Sequence, residues 1–372
     1  MVNITKFTGA AVAAGLFASA AAHPGEHHDH HAVKREISAR AVRASAAKRA
    51  LDNCNSASKH QALTARSHAR RAQIARDLRE KRGIANNDAE TTTEPQKFRR
   101  DLATLEEFEA VNHNMTGISE YNHYVVGEMI RKNVKEEQYS DGVDLYLEVQ
   151  YVDIETCEPV PDVYVDIWNA NATGVYSGIS TNGNYAADGL NSTYLRGIQV
   201  TDQDGVVGFE TIFPGHYDGR ATHTHLLAHM NVTVFPNNTI SDTNNITHIG
   251  QLFWNEELRT AVEATYPYTT NEQAVTSNAD DMWDIVQADT YYDPFPEYLY
   301  LGSDVSDGLF AWIQIGINTS ANYIDDDYYS VAAYIQADGG HENEDSATGF
   351  GGGGDGGNGT MSGAVPSGTP PA

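Results

Sequence analysis

The stretch Phe213-Pro214-Gly215-His216-Tyr217-Asp218-Gly219-Arg220-Ala221-Thr222-His223-Thr224-His225-Leu226-Leu227-Ala228-His229 carries one tyrosine and then two histidines a single residue apart. The run from Thr222 to Ala228 favours a strand. Side chains alternate faces along a strand, so His223 and His225 point the same way. Two imidazoles side by side on one face suit a single metal ion. The other ligands, the pocket and its walls must come from elsewhere in the chain.

Working outward, the body of the sequence reads as strands. Val143–Val152 alternates, with Val143, Leu145, Leu147 and Val149 on one face. A turn at Glu158–Asp162 leads into a strand over Val163–Trp168. Between Val200 and Glu210, the Asp204-Gly205 pair flanked by apolar residues predicts a hairpin. Met230–Phe235 and Gly308–Ile317 add strands, and Asn255–Thr265 reads as a short helix. Many short strands separated by turn signals predict a mainly β fold, a sandwich or a barrel; the expectation is a β-sandwich core with a helical N-terminal segment.

Composition narrows the class. With 372 residues and 40% hydrophobic content, the chain has room for a sizeable core in one large or two medium domains. Its formal net charge of −27 argues against a nucleic-acid partner. The 20 tyrosines suit β structure and tyrosine-lined sites. Two cysteines, Cys54 and Cys157, are too few for a disulfide scaffold and form no CxxC zinc pattern. Whether they form one bridge or stay apart is open at this stage.

Residues 1–22 place a lysine before a short apolar run ending in small residues, the pattern of a signal peptide cleaved after Ala22. The run is too short for a membrane anchor. Glycosylation sequons at Asn114, Asn171, Asn191, Asn231, Asn237, Asn245, Asn318 and Asn358 fit a secreted glycoprotein. The His-rich tract at 23–31 can be read as a metal-binding tract or as a disordered leader; with nothing to fix its geometry, the leader is the expectation. Residues 33–83 are rich in Ala, Arg and Lys and helical in composition. Two readings stand for them: a pro-segment released at Lys34-Arg35 or Lys48-Arg49, or a helical arm packing on the acidic remainder. Residues 84–100 read as a linker. The expected division is 1–22 signal peptide, 23–104 basic helical and linker segment, 105–335 β domain and 336–372 disordered Gly-rich tail. That tail lacks the terminal hydrophobic run of a glycolipid anchor.

Upstream of the central stretch, a strand ends near Trp168 and a loop leads to Gly174-Val175-Tyr176-Ser177. Pro214-Gly215-His216-Tyr217 and Arg220-Ala221-Thr222-His223-Thr224-His225 follow in order. Taken together these three pieces resemble the intradiol ring-cleavage dioxygenases, secreted fungal members above all, over roughly residues 120–320. The resemblance implies a mononuclear Fe(III) site with Tyr176, Tyr217, His223 and His225 as ligands. It implies Arg220 and Gln251 as pocket residues, and Tyr217 as a displaceable ligand that takes a proton from the substrate. Tyr176 would stay bound beside His225, with His223 on the axial side. The implied reaction is cleavage of a catechol-type ring by O2 between the two hydroxylated carbons, giving a muconate-type diacid. Two hard phenolates suit Fe(III), whereas two histidines with one carboxylate would suit a ferrous site.

The segment Gly117–Glu128 lacks the Cys and Pro of many secreted relatives, and Asn169 stands where the family often has histidine. His216 and His229 flank the site without being expected as ligands. Tyr185 and Tyr194-Leu195-Arg196 either line the pocket or pack. Competing readings are a glycosylated β-sandwich wall or binding protein without catalysis, and a zinc or copper hydrolase, which lacks a carboxylate at a matching spacing. The partners expected are a small aromatic diol and O2, with no nucleic acid and no membrane. A homodimeric assembly stays open.

Overall fold

A computed structural model describes residues 54, 58–85, 124–136, 141–180, 189–242, 244–281, 294–324 and 331–343. The signal peptide, the His-rich tract, Tyr185 and residues 344–372 lie outside the described residues.

The centre is a sandwich of two four-stranded sheets. The first runs in the order β5 (Val206–Ile212), β2 (Asp144–Asp153), β9 (Leu309–Ile317), β8 (Glu297–Tyr300). The second runs β4 (Arg196–Val200), β3 (Tyr164–Trp168), β6 (His223–Met230), β7 (Asn245–Phe253). Alternation fills the space between them. Leu145, Leu147, Val149 and Tyr151 of β2 meet Val165 and Ile167 of β3 and Leu226 and Ala228 of β6 in one buried cluster. A smaller sheet, β1 (Tyr124–Val126), β10 (Val331–Gln336) and β11 (Gly339–Glu342), lies beyond the second one. Tyr124 shares a cluster there with Trp168, Tyr176, Tyr217 and Leu227. The short helix α2 (Glu256–Glu263) is capped by Asn255, whose side chain accepts from the Leu258 amide. The mainly β sandwich expected from the sequence is the fold observed.

The basic arm is a 24-residue helix, α1 (Ser58–Lys81), laid across the outer face of the first sheet. Tyr146 and Phe310 meet Ala75 and Leu78 there. Buried Glu148 of β2 faces Arg70 at 3.2 Å and Arg71 at 2.7 Å. Arg66 pairs with Asp204, Lys59 with Glu158, Lys81 with Glu210 and Arg82 with Asp144. Ser67 donates to Gln150 at 3.0 Å. Covered on both faces, β2 is buried along almost its whole length. Cys54 and Cys157 form a disulfide that fastens the approach to α1. Within the basic stretch 33–83, the helix described is Ser58–Lys81. Replacing both Arg70 and Arg71 by alanine would leave Glu148 buried without its cations. A loss of roughly 3–5 kcal/mol in denaturant-unfolding free energy is expected; an unchanged midpoint would show that α1 is ornamental.

Three local expectations are corrected. Asp204-Gly205 does turn the chain, but the flanking strands do not form a hairpin. β4 and β5 enter different sheets, and the turn is the link between the layers. A turn signal reports reversal, not whether its two arms pair. Met230–Phe235 is not a strand. β6 ends at Met230, Asn231 takes φ +58°, and Val234 makes only an isolated bridge to Ile240. The tail expected to begin at 336–339 holds the strand β11, antiparallel to β10. The glycine at 340 serves close packing: a Cβ there would lie 1.9 Å from the Leu190 carbonyl oxygen. β7, β8, β10 and β1 were not anticipated from the sequence.

Candidate metal centre

β6 presents Thr224, Leu226 and Ala228 to the sandwich interior and His223, His225, Leu227 and His229 to the opposite face. Onto that face two loops deliver the tyrosines. The first follows β3. There the Asn171 side chain accepts from the Thr173 and Val175 amides at 2.9 and 3.0 Å, folding the loop back so that Tyr176 returns over the sheet. Gly174, at φ +76°, sits so close to the second loop that a Cβ would lie 2.1 Å from the His216 carbonyl oxygen. The second loop joins β5 to β6 and carries Tyr217.

The four side chains meet. Tyr176 Oη lies 3.2 Å from both His223 Nε2 and His225 Nε2. Tyr217 Oη lies 3.2 Å from His223 Nε2, and the two Nε2 atoms are 3.0 Å apart. All four residues are at least 98% buried. His223 Nδ1 sits 2.6 Å from the Ala221 carbonyl oxygen, to which it donates, so its Nε2 lone pair faces the other donors. Donors bound to one ion at about 2.0–2.1 Å and set near a right angle lie about 3 Å from each other. The observed spacing fits that arrangement. Among the described residues no group of three or more His, Cys, Asp or Glu converges in this way; the tyrosines complete the set. Burial pushes the Tyr176 phenol up to about 12, against pulls from its hydrogen bond to Tyr217 and from Arg220 and Arg196. Burial first, and then Tyr176, push Tyr217 well above the usual phenol range. Neither ionises near neutral pH unless a cation sits against the oxygen.

Arg220 and Gln251 are brought together beside this cluster. Arg220 is fully buried; Nη2 donates to Gln251 Oε1 at 2.6 Å and Nε to Asp281 Oδ2 at 3.0 Å. Gln251 reaches the spot as the cross-strand neighbour of His225. Asp281 also accepts from the Ala221 amide at 2.6 Å. It thus fixes both Arg220 and the turn that holds His223 Nδ1. Sequence reading missed it, because an aspartate in a polar loop far along the chain carries no local signal.

The flanking histidines have other partners. His216 lies 3.0 Å from Glu263 and from the Gln273 carbonyl. Burial lowers its pKa, but Glu263 and Gln273 outweigh that and raise it. His229 Nδ1 contacts Asn244 Oδ1 at 2.8 Å, and burial drops its pKa to about 4. Tyr194 and Leu195 belong to the sandwich core.

The model of a family described as dioxygenase matches residues 121–236. None of the curated proteins matches the chain. Solved structures that resemble it include an intradiol ring-cleavage dioxygenase from Tetranychus urticae, at 27% identity, 56% coverage of this chain, 96% of that one and TM-score 0.45. Others are the dioxygenase domain of a dioxygenase carbohydrate-binding protein fusion from Streptomyces sp. SirexAA-E (18%, 54%, 97%, 0.30) and catechol 1,2-dioxygenase from Pseudomonas arvilla C-1 (16%, 58%, 66%, 0.34). The segment matched by the dioxygenase model contains Tyr176, Tyr217, Arg220, His223 and His225.

Proposed function

We propose that Tyr176, Tyr217, His223 and His225 hold one ferric ion, and that the chain is an extracellular dioxygenase opening catechol-type rings between the two hydroxylated carbons. The convergence of four donor atoms at 3.0–3.2 Å carries the reading. Bound Fe(III) would supply Lewis acidity that favours the deprotonated diol and, by drawing electron density from its ring, would open that ring to reaction with O2. The chain's own residues do the rest. Tyr217 Oη, whose environment strongly disfavours the phenolate, is the atom best placed to take up a proton from a substrate hydroxyl. Arg220 keeps a buried positive charge near both tyrosines, where negative charge collects on an anionic substrate. The Trp168 indole, flat against His225, keeps water from that side. The Cys54–Cys157 bridge and the exposed sequons Asn191, Asn231 and Asn237 support an oxidising, extracellular setting.

The test is oxygen uptake by iron-loaded protein with catechol and hydroxyquinol, and the mass of the product. Addition of both oxygen atoms to a ring-opened diacid is expected. An iron-loaded chain inert toward every catechol offered would instead favour a sandwich protein that kept the fold without the chemistry. Asp281→Asn should keep the iron but loosen Arg220, lowering kcat about 10- to 100-fold, the usual scale for losing a residue that orients a catalytic group. Unaltered kcat would remove Arg220 from the reaction.

A further inference from the structure

A column of buried groups outside the donor set leans on His225. The Trp168 indole is stacked on the His225 imidazole, centroids 4.8 Å apart and planes 5° from parallel. The Arg196 guanidinium lies over the Trp168 ring, 5.9 Å from its centre. Arg196 is 2% exposed, and its charge is met by Glu128 at 3.0 Å. The same guanidinium donates from Nε and Nη2 to the Ser177 carbonyl oxygen at 2.9 and 2.7 Å, one residue past Tyr176. Asp166, on the same face of β3 as Trp168, adds a third buried ionisable group. Burial first, and Glu128 second, hold its carboxyl well above the usual range, and burial raises Glu128 as well, against the pull of Arg196. Buried ion pairs seldom stabilise a fold more than apolar residues of similar size would. A cation placed here therefore calls for a reason other than stability.

We infer that Arg196, locked by Glu128, is a positioning residue for the metal centre: it pins the backbone beside Tyr176 and, through Trp168, the ring of His225. One buried cation thus sets two donors that arrive from separate segments. The inference rests on the ferric reading above. It also gives Arg196 an electronic role, because a fixed positive charge near Tyr176 makes its phenolate a weaker donor.

The test uses full-length protein loaded with iron, read by its visible tyrosinate band and by iron affinity in chelator competition. Arg196→Gln should move the band to longer wavelength, since a phenolate without a nearby cation gives up an electron more easily. It should also weaken iron binding about 10- to 100-fold. Arg196→Lys keeps the charge but not the forked contact to Ser177, so the band should return toward wild type while affinity stays low. Trp168→Phe should weaken binding and leave the band in place. If Arg196→Gln does not fold by circular dichroism, Trp168→Phe decides: affinity equal to wild type overturns the inference. A wild-type chain that takes up no iron defeats the ferric reading and this inference with it. A wild type that colours normally, with variants that match it in band and affinity, defeats this inference alone.

Discussion

His225→Ala should leave a folded, colourless protein with no measurable oxygen uptake. Its Nε2 lies 3.0 Å from His223 Nε2 and 3.2 Å from Tyr176 Oη, among the four converging donors. Without it three donors remain, and a tight ferric site becomes a weak one. The chemistry drawn from the metal is worth several kcal/mol of barrier, so activity should fall by about 10³-fold or more. Tyr176→Phe should do the same by removing a phenolate. The fold should survive both, because the sandwich interior is built from the opposite face of β6. Circular dichroism and a thermal midpoint near wild type would separate loss of metal from loss of structure. Retention of colour and rate in His225→Ala would take His225 out of the site.

The second large effect concerns the arm. A double Cys54→Ser, Cys157→Ser variant removes a crosslink spanning a sequence separation of 103. Chain-entropy reasoning gives about 4–5 kcal/mol for a loop of that size. In thermal unfolding this corresponds to a midpoint lower by roughly 10 °C. α1 should then be released before the sandwich, since besides the Ala75 and Leu78 contacts and the buried Glu148 it is held by exposed ion pairs such as Lys59–Glu158 and Lys81–Glu210. Hydrogen exchange would show early loss of protection over Ser58–Lys81. Equal protection with and without the bridge would mean that the charged interface suffices by itself.

These expectations mark what the sequence makes legible. The His223–His225 pair is local: alternation along one strand puts both rings on one face, and no distant information is needed. Tyr176 and Tyr217 were reachable only through the resemblance their motifs carry, since nothing in their spacing brings their loops together. The close packing at Gly174 that does so is visible only in three dimensions. Asp281 was illegible for the same reason. It acts through space on Arg220 and on the Ala221 amide from a polar loop. Arg196 was left between lining the pocket and packing, because its meaning lies in Glu128, Trp168 and the Ser177 carbonyl.

The fold follows the same division. β2, β3, β6 and β9 were legible as strands, and for the basic residues 33–83 a docked helical arm was one of two readings left open. Asp204-Gly205 misled, because a turn dipeptide is silent about whether its arms share a sheet. Gly339 and Gly340 misled in the opposite way. Glycine marks disorder in composition, yet here it permits contact with Leu190 and the antiparallel pairing of β11 with β10.

The most direct measurement is a metal analysis and visible spectrum on the same purified sample. One iron per chain with a broad visible band, lost in both Tyr176→Phe and His225→Ala, is the result expected of a four-donor ferric site. A chain that binds no iron, or binds it without colour, would contradict it.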